Sequence, residues 1–160
     1  MKFTEAKLER AFTELLEIEG YPHSFGMTLN RVSEEVLLVD DLKIFLIKQY
    51  KNEGITKNEV QSIVQQLQTL SSSDLYESNK TFLKMLSDGF SLKREDRSKK
   101  DIWVYLIVFS SNDNNKYRFV TQMEIIGSNI RMPDGIIYIK GLPLVVFEFK
   151  SAIREDATLH

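Results

Sequence analysis

The hydrophobic period changes once along this chain, and that change limits the folds open to it. Up to about residue 90 apolar residues recur at helical spacing; from residue 102 they form short blocks or alternate with polar ones. Leu8, Ala11, Phe12, Leu15 and Leu16 make one stripe between Thr4, suited to an N-cap, and Gly20, which stops the turn. That stripe is expected to face a core. Residues 31–39 read as a short strand, after which Asp40 and Asp41 cap a helix carrying Leu42, Phe45 and Leu46. Thr56-Lys57-Asn58-Glu59 has the form of a capping box, and Val60, Ile63, Val64, Leu67 and Leu70 keep one apolar face behind it. Ser71-Ser72-Ser73 breaks this helix, and Leu75, Phe82, Leu83 and Leu86 predict another before Gly89.

In the second half, Ile102 to Phe109 is β-branched and aromatic and reads as a strand covered on both faces. Residues 110–115 form a turn. Tyr117, Phe119, Thr121, Met123 and Ile125 then alternate with Arg118, Val120, Gln122 and Glu124 along a returning strand. Two more strands, 135–140 and 144–150, flank Gly141-Leu142-Pro143. The predicted architecture is α/β in the α+β sense. Mainly helical residues 1–90 pack on a mixed sheet of about four strands within 101–150, as a single domain over 1–160.

Composition removes several classes of function. With 160 residues, 42% of them hydrophobic, the chain can bury a core. The absence of cysteine excludes disulfides, thiolate metal sites and Cys nucleophiles. His23 and His160, at opposite ends, do not form a histidine-rich site, so a metal here would take carboxylates. The apolar run from 102 to 109 is far too short to span a membrane, and no signal-peptide core follows Met1, so no membrane partner and a cytoplasmic location are expected. Net charge is −2, split as −3 over residues 1–70 and +1 over 71–160. The one basic cluster, Lys93 to Lys100, reads first as a solvated loop.

The chemistry concentrates at two strand ends. Pro133-Asp134 opens one strand and Glu148-Phe149-Lys150 closes the next. Alternation puts Glu148 and Lys150 on one face and Phe147 and Phe149 on the other, and a hairpin would bring Asp134 toward Glu148. Two carboxylates and a lysine suit metal-assisted phosphodiester hydrolysis. Asp134 and Glu148 supply hard oxygen ligands for Mg²⁺, and Lys150 orients water or neutralises charge on the phosphate. The bland alternative is an exposed ion pair guarding a strand end beside a plain turn. Glu5-Ala6-Lys7 and Asp41-Leu42-Lys43 also match acidic-x-Lys and are assigned nothing.

At these residues the sequence resembles the N-terminal nuclease domain of the restriction (R) subunit of type I restriction endonucleases, a branch of the PD-(D/E)xK nuclease superfamily. The resemblance runs through Met132-Pro133-Asp134, an apolar strand, Lys140-Gly141-Leu142-Pro143-Leu144, a second apolar strand and Glu148-Phe149-Lys150. Lys140 stands where the family usually has Asn, a change read as a surface turn. Looser similarity covers residues 4–21, 79–89 and 115–124.

The resemblance implies a restriction-endonuclease-like core with Asp134 and Glu148 as Mg²⁺ ligands, Mn²⁺ as a substitute, and Lys150 as the catalytic lysine. It adds an acidic residue from the opening helix, Glu9 first and Glu5 second, against the reading of both as solvated glutamates. Gln122 matches a family glutamine that a structural hydrogen bond explains equally well. In the family the Glu-x-Lys strand is followed by a helix with Gln-x-x-x-Tyr, more sheet and an ATP-driven translocase. This chain stops at His160 and has no glycine followed by lysine, so a C-terminally truncated piece of a larger R subunit is expected, with ATP only in the missing motor. The implied partners are DNA and the modification and specificity subunits. The expected function is Mg²⁺-dependent DNA endonuclease. A noncatalytic DNA-binding or subunit-docking module is the alternative, and a related repair or mobile-element nuclease differs only in setting.

Overall fold

A computed structural model describes residues 4–70, 75–109 and 115–150. In chain order the helices are α1 (Glu5–Ile18), α2 (Val39–Gln49), α3 (Lys57–Gln68) and α4 (Leu75–Asp88), with a 3₁₀ turn at Gly26–Thr28. The strands are β1 (His23–Phe25), β2 (Phe90–Leu92), β3 (Ile102–Val104), β4 (Tyr117–Thr121), β5 (Ile125–Ile126), β6 (Ile130–Arg131), β7 (Gly135–Ile139) and β8 (Leu142–Phe147). No described helix is long and apolar enough to cross a membrane. The chain divides into two compact units, residues 1–36 with 117–160, and residues 37–116. The change of hydrophobic period near residue 90 is therefore not where the units part.

The first unit is a four-stranded mixed sheet in the order β1-β4-β7-β8. β1 is parallel to β4, and the other pairs are antiparallel. Phe12 of α1 sits on one face, its ring 5.8 Å from Phe119, 4.8 Å from Phe147 and 5.3 Å from Phe149. The α1 stripe covers less than its pattern implied. No α1 residue is fully buried, and Leu15 remains 53% exposed. Tyr138 on the other face is fully buried and donates its hydroxyl hydrogen to the Val36 carbonyl.

The strand expected at 31–39 is absent. Arg31 instead donates to the carbonyls of Ser33, Glu35 and Glu124, so a side chain does what a ladder would have done. β4 ends at Thr121, not at 125, because Gln122 takes a left-handed backbone (φ 52°) that no ladder accommodates. β5 and β6 form a separate two-stranded piece.

The second unit packs α2 and α3 through Leu42 and Leu46 on one and Val60, Ile63, Val64 and Leu67 on the other. The capping box expected at Thr56 and Glu59 is present in both directions. β2 and β3 pair antiparallel to each other and not with the larger sheet. The strand predicted for 102–109 is thus only three residues long. It stops because the Tyr105 N–H is taken by the Tyr50 hydroxyl, which itself donates to the Tyr105 carbonyl. One face stays open, with Trp103 53% exposed between buried Ile102 and Val104. The expected turn at 110–115 and break at 71–73 lie almost wholly outside the described residues.

One buried ion pair ties this unit together. Arg94 donates from Nε to Glu59 at 2.8 Å and from its two terminal nitrogens to the carbonyls of Glu53 and Gly54. The side chains of Arg94 and Glu59 are 4% and 2% exposed. Burial pushes the Glu59 carboxyl up, but hydrogen bonds from the Thr56 N–H, the Arg94 guanidinium and the Glu95 N–H outweigh it and hold the group below its ordinary 4.5.

Arg94→Met leaves Glu59 buried without its partner and is expected to cost about 3–5 kcal/mol in chemical denaturation. Because the folded-state value is depressed, Glu59 contributes stability above about pH 4.5, lost as pH falls through the lower folded value. Glu59→Gln should flatten that acid limb in a pH series of unfolding midpoints.

Candidate active site

β7 and β8 are joined by a two-residue turn, Lys140-Gly141, in which both residues have positive φ, 51° and 84°. This matches the tight hairpin turn that suits the twist of an antiparallel pair. The turn is one step earlier than Gly141-Leu142-Pro143, and Leu142 and Pro143 belong to β8. Pro143 is tolerated because β8 is the edge strand among the described residues, where a missing N–H breaks no inner ladder. Lys140 is not the surface substitution its turn position suggested. The residue is 2% exposed, and burial lowers its ammonium to about 8.

The pairing shifts inside the hairpin. Tyr138 faces Pro143 while Ile137 faces Val145, so Leu144 is an extra residue on β8. Beyond this bulge Gly135 faces Phe147, the last pair of the ladder, and Asp134 and Glu148 are the next residue on each side. Without the bulge Phe147 would stand there, and Glu148 would lie on the other face.

Side-chain direction follows from contacts. Phe147 and Phe149 both meet Phe12, so their face is the α1 face, and Glu148 projects from the opposite one with exposed Lys150 next in the alternation. A Cβ on Gly135 would run into the Phe119 ring, which also packs on Phe12. Asp134 therefore points away from α1, to the same face as Glu148. Its Oδ2 accepts the Phe149 N–H, tying the carboxylate to the Glu148-Phe149-Lys150 segment. β8 ends at Phe147, so Glu148 and Lys150 sit just past the strand expected to contain them.

Glu9 is placed elsewhere. It is on α1, across the sheet from Asp134, and lines a cleft of about 340 Å³ with Arg10, Thr13, His23, Phe25 and Thr121. His23 Nε2 and the Thr121 hydroxyl are 2.8 Å apart in that cleft. Glu5 is exposed on the first turn of α1, and Gln122 is exposed at its left-handed position. Among the described residues no three His, Asp or Glu side chains converge as a metal cluster. The arrangement at the hairpin end is thus two carboxylates and a lysine.

The pattern of acidic residues did not point to two contributors, Gly135 and the Leu144 bulge. Gly135 had a signal in its position directly after Asp134. The bulge had none, since Leu144 and Val145 are equally apolar.

The comparison with known sequences joins this geometry. The profile for the type I restriction enzyme R protein N terminus matches residues 2–158, so the chain belongs to that family. It is 31% identical over 97% of its length to the type I restriction enzyme HindI endonuclease subunit of Haemophilus influenzae. It is 30% identical over 94% of its length to a Methanocaldococcus jannaschii protein provisionally named as the MjaIXP endonuclease subunit of a type I restriction enzyme. The chain spans 16% of the length of each relative.

Gly135→Ala forces a methyl group against Phe119, which is fully buried among Phe12, Phe147 and His23 and has no room to turn. The expected loss is about 1–3 kcal/mol of stability, measured by thermal or urea unfolding.

Proposed function

We propose that this chain is a Mg²⁺-dependent DNA endonuclease module of a type I restriction enzyme R subunit, with Asp134 and Glu148 as the ligand pair and Lys150 as the catalytic lysine. The reading is supported by the bulged hairpin register, whose last pair is Gly135 and Phe147, and by the Phe149 N–H that Asp134 accepts just beyond it. Both side chains offer hard oxygen donors, and Oδ1 of Asp134 has no part in the Phe149 hydrogen bond. A Mg²⁺ ion, or Mn²⁺ in its place, fits one or two carboxylates completed by water and phosphate oxygens. When bound, such an ion would lower the pKa of a water and polarise the phosphoryl group.

The chain's own residues supply the rest. The Phe149 N–H fixes the Asp134 carboxylate, so one of its oxygens is oriented before any ligand arrives. Lys150, exposed at the end of the same segment, is within the alternation that carries Glu148 and can hold the scissile phosphate or its attacking water. The phenyl groups of Phe147 and Phe149, packed against Phe12, anchor this segment to the sheet face that α1 covers. Glu9, on the far side of the sheet, is given no share in this chemistry. In the whole R subunit, modification and specificity subunits would supply recognition, and ATP would act only in a motor outside these residues.

Plasmid nicking tests the proposal. The chain, and the R subunit that contains it assembled with its partners and ATP, should nick supercoiled DNA with Mg²⁺ or Mn²⁺ and not with EDTA. Asp134→Ala, Glu148→Ala and Lys150→Ala should each lower the rate about 100-fold or more without altering the circular-dichroism spectrum. Undiminished cleavage by Asp134→Ala would remove the assignment. A folded protein inert in every arm would leave the docking module in its place.

A further inference from the structure

The only tryptophan of the chain lies in the second unit, far in sequence from the proposed catalytic residues. Trp103 is 53% and Tyr105 49% exposed, while Ile102, Val104 and Leu106 between and beside them are buried. Exposing an indole forgoes a large apolar burial, yet this ring is held in place. Its Nε1–H donates to the Asp88 carbonyl at 3.0 Å. Gly89 passes so close that a Cβ there would lie 2.7 Å from the same nitrogen, and its backbone is left-handed (φ 73°). The ring is therefore fixed at its nitrogen edge while the residue stays 53% exposed.

The loop 93–100 ends beside it. Its Arg94 is the buried anchor already described, which pins the loop to α3 and to the turn before it. Lys93, Arg97, Lys99 and Lys100 stay exposed, and none of them forms an ion pair with a described residue. The loop's carboxylates are engaged internally. Asp96 accepts from the Ser98 N–H and hydroxyl, Glu95 from the Thr56 hydroxyl, and Asp101 from the Arg94 N–H. Arg94, Lys99, Lys100 and Trp103, with Glu53, Asp101 and Ile102, line one cleft of about 410 Å³.

We infer that this cleft binds single-stranded nucleic acid, with a base stacked on Trp103 and the adjoining phosphates held by Lys99 and Lys100. A base in a duplex has both faces covered by its neighbours, so an open indole face selects an unstacked strand. Positive charge beside an aromatic face is the pairing such strands require, and a protein surface would not need the lysines. The site shares no residue with the proposed catalytic set, needs no metal, and goes beyond the nuclease reading by giving the second unit its own contact with a strand.

The tryptophan is also its own reporter. Titrating the chain in EDTA with fifteen-nucleotide oligo(dT) or oligo(rU) should quench Trp103 fluorescence, with the better of the two naming the preferred strand. A fifteen-base-pair duplex should compete at least about tenfold less well. Lys99→Glu/Lys100→Glu, a surface change that leaves the ring in place, should weaken binding about tenfold or more. It should also lower the salt dependence by about 1.4 logarithmic units per decade, two phosphate contacts at roughly 0.7 each. Trp103→Ala, followed by fluorescence anisotropy of a labelled strand, should lose affinity in parallel. No quenching by either strand, equal competition by duplex, or unchanged binding by the lysine variant would overturn the inference. Because metal is absent throughout, these results stand apart from plasmid nicking.

Discussion

The register of one hairpin governs the nuclease site proposed for this chain. Lys140-Gly141 closes β7 onto β8, and Leu144 adds one residue to the outer strand before the pairing resumes. Side chains alternate strictly in a strand, so one added residue exchanges the two faces beyond it. That exchange decides whether Asp134 meets Glu148 or Phe147. Placing the bulge on an edge strand costs no inner ladder, and Pro143 on the same strand further blunts an open edge.

The aromatic cluster makes the register hold. Phe12, Phe119, Phe147 and Phe149 meet on the α1 face with ring centroids 4.8 to 6.3 Å apart. Slippage by one residue would exchange Phe147 and Phe149 for Glu148 and Lys150 against Phe12, burying charge without partners. The same packing that stabilises the first unit therefore directs its polar residues to the other face. Gly135 completes the arrangement, because only a residue without a side chain fits beneath Phe119 directly beside Asp134.

How much of this was legible in the sequence depended on the range of the interaction. The capping box at Thr56 and Glu59 and the apolar face of α3 are local, and both are present. The four-helix, mixed-sheet character was legible too, as were the residues of the Pro133-Asp134 and Glu148-Phe149-Lys150 motif. β1 was not, since His23-Ser24-Phe25 has no periodicity and becomes a strand only by pairing with β4 some ninety-six positions away. Ile102 to Phe109 looked like a core strand, yet the Tyr50 hydroxyl ends it after three residues. Arg94 lay in a loop read as solvated, and its burial rests on Glu59, thirty-five residues earlier. Glu9 has a helical position that fits the family pattern, and the structure places it in a cleft with His23 and Thr121.

The proposed ion site rests on the hairpin geometry, which carries Asp134 and Glu148 to one face beside the Phe149 N–H. The most direct measurement of that claim is Mn²⁺ binding to the chain, followed by electron paramagnetic resonance of the free ion. The account predicts saturable binding that Mg²⁺ displaces and that Asp134→Asn and Glu148→Gln each abolish, while Glu9→Gln binds as the wild type does. Binding unaffected by Asp134→Asn and Glu148→Gln in folded protein would contradict it.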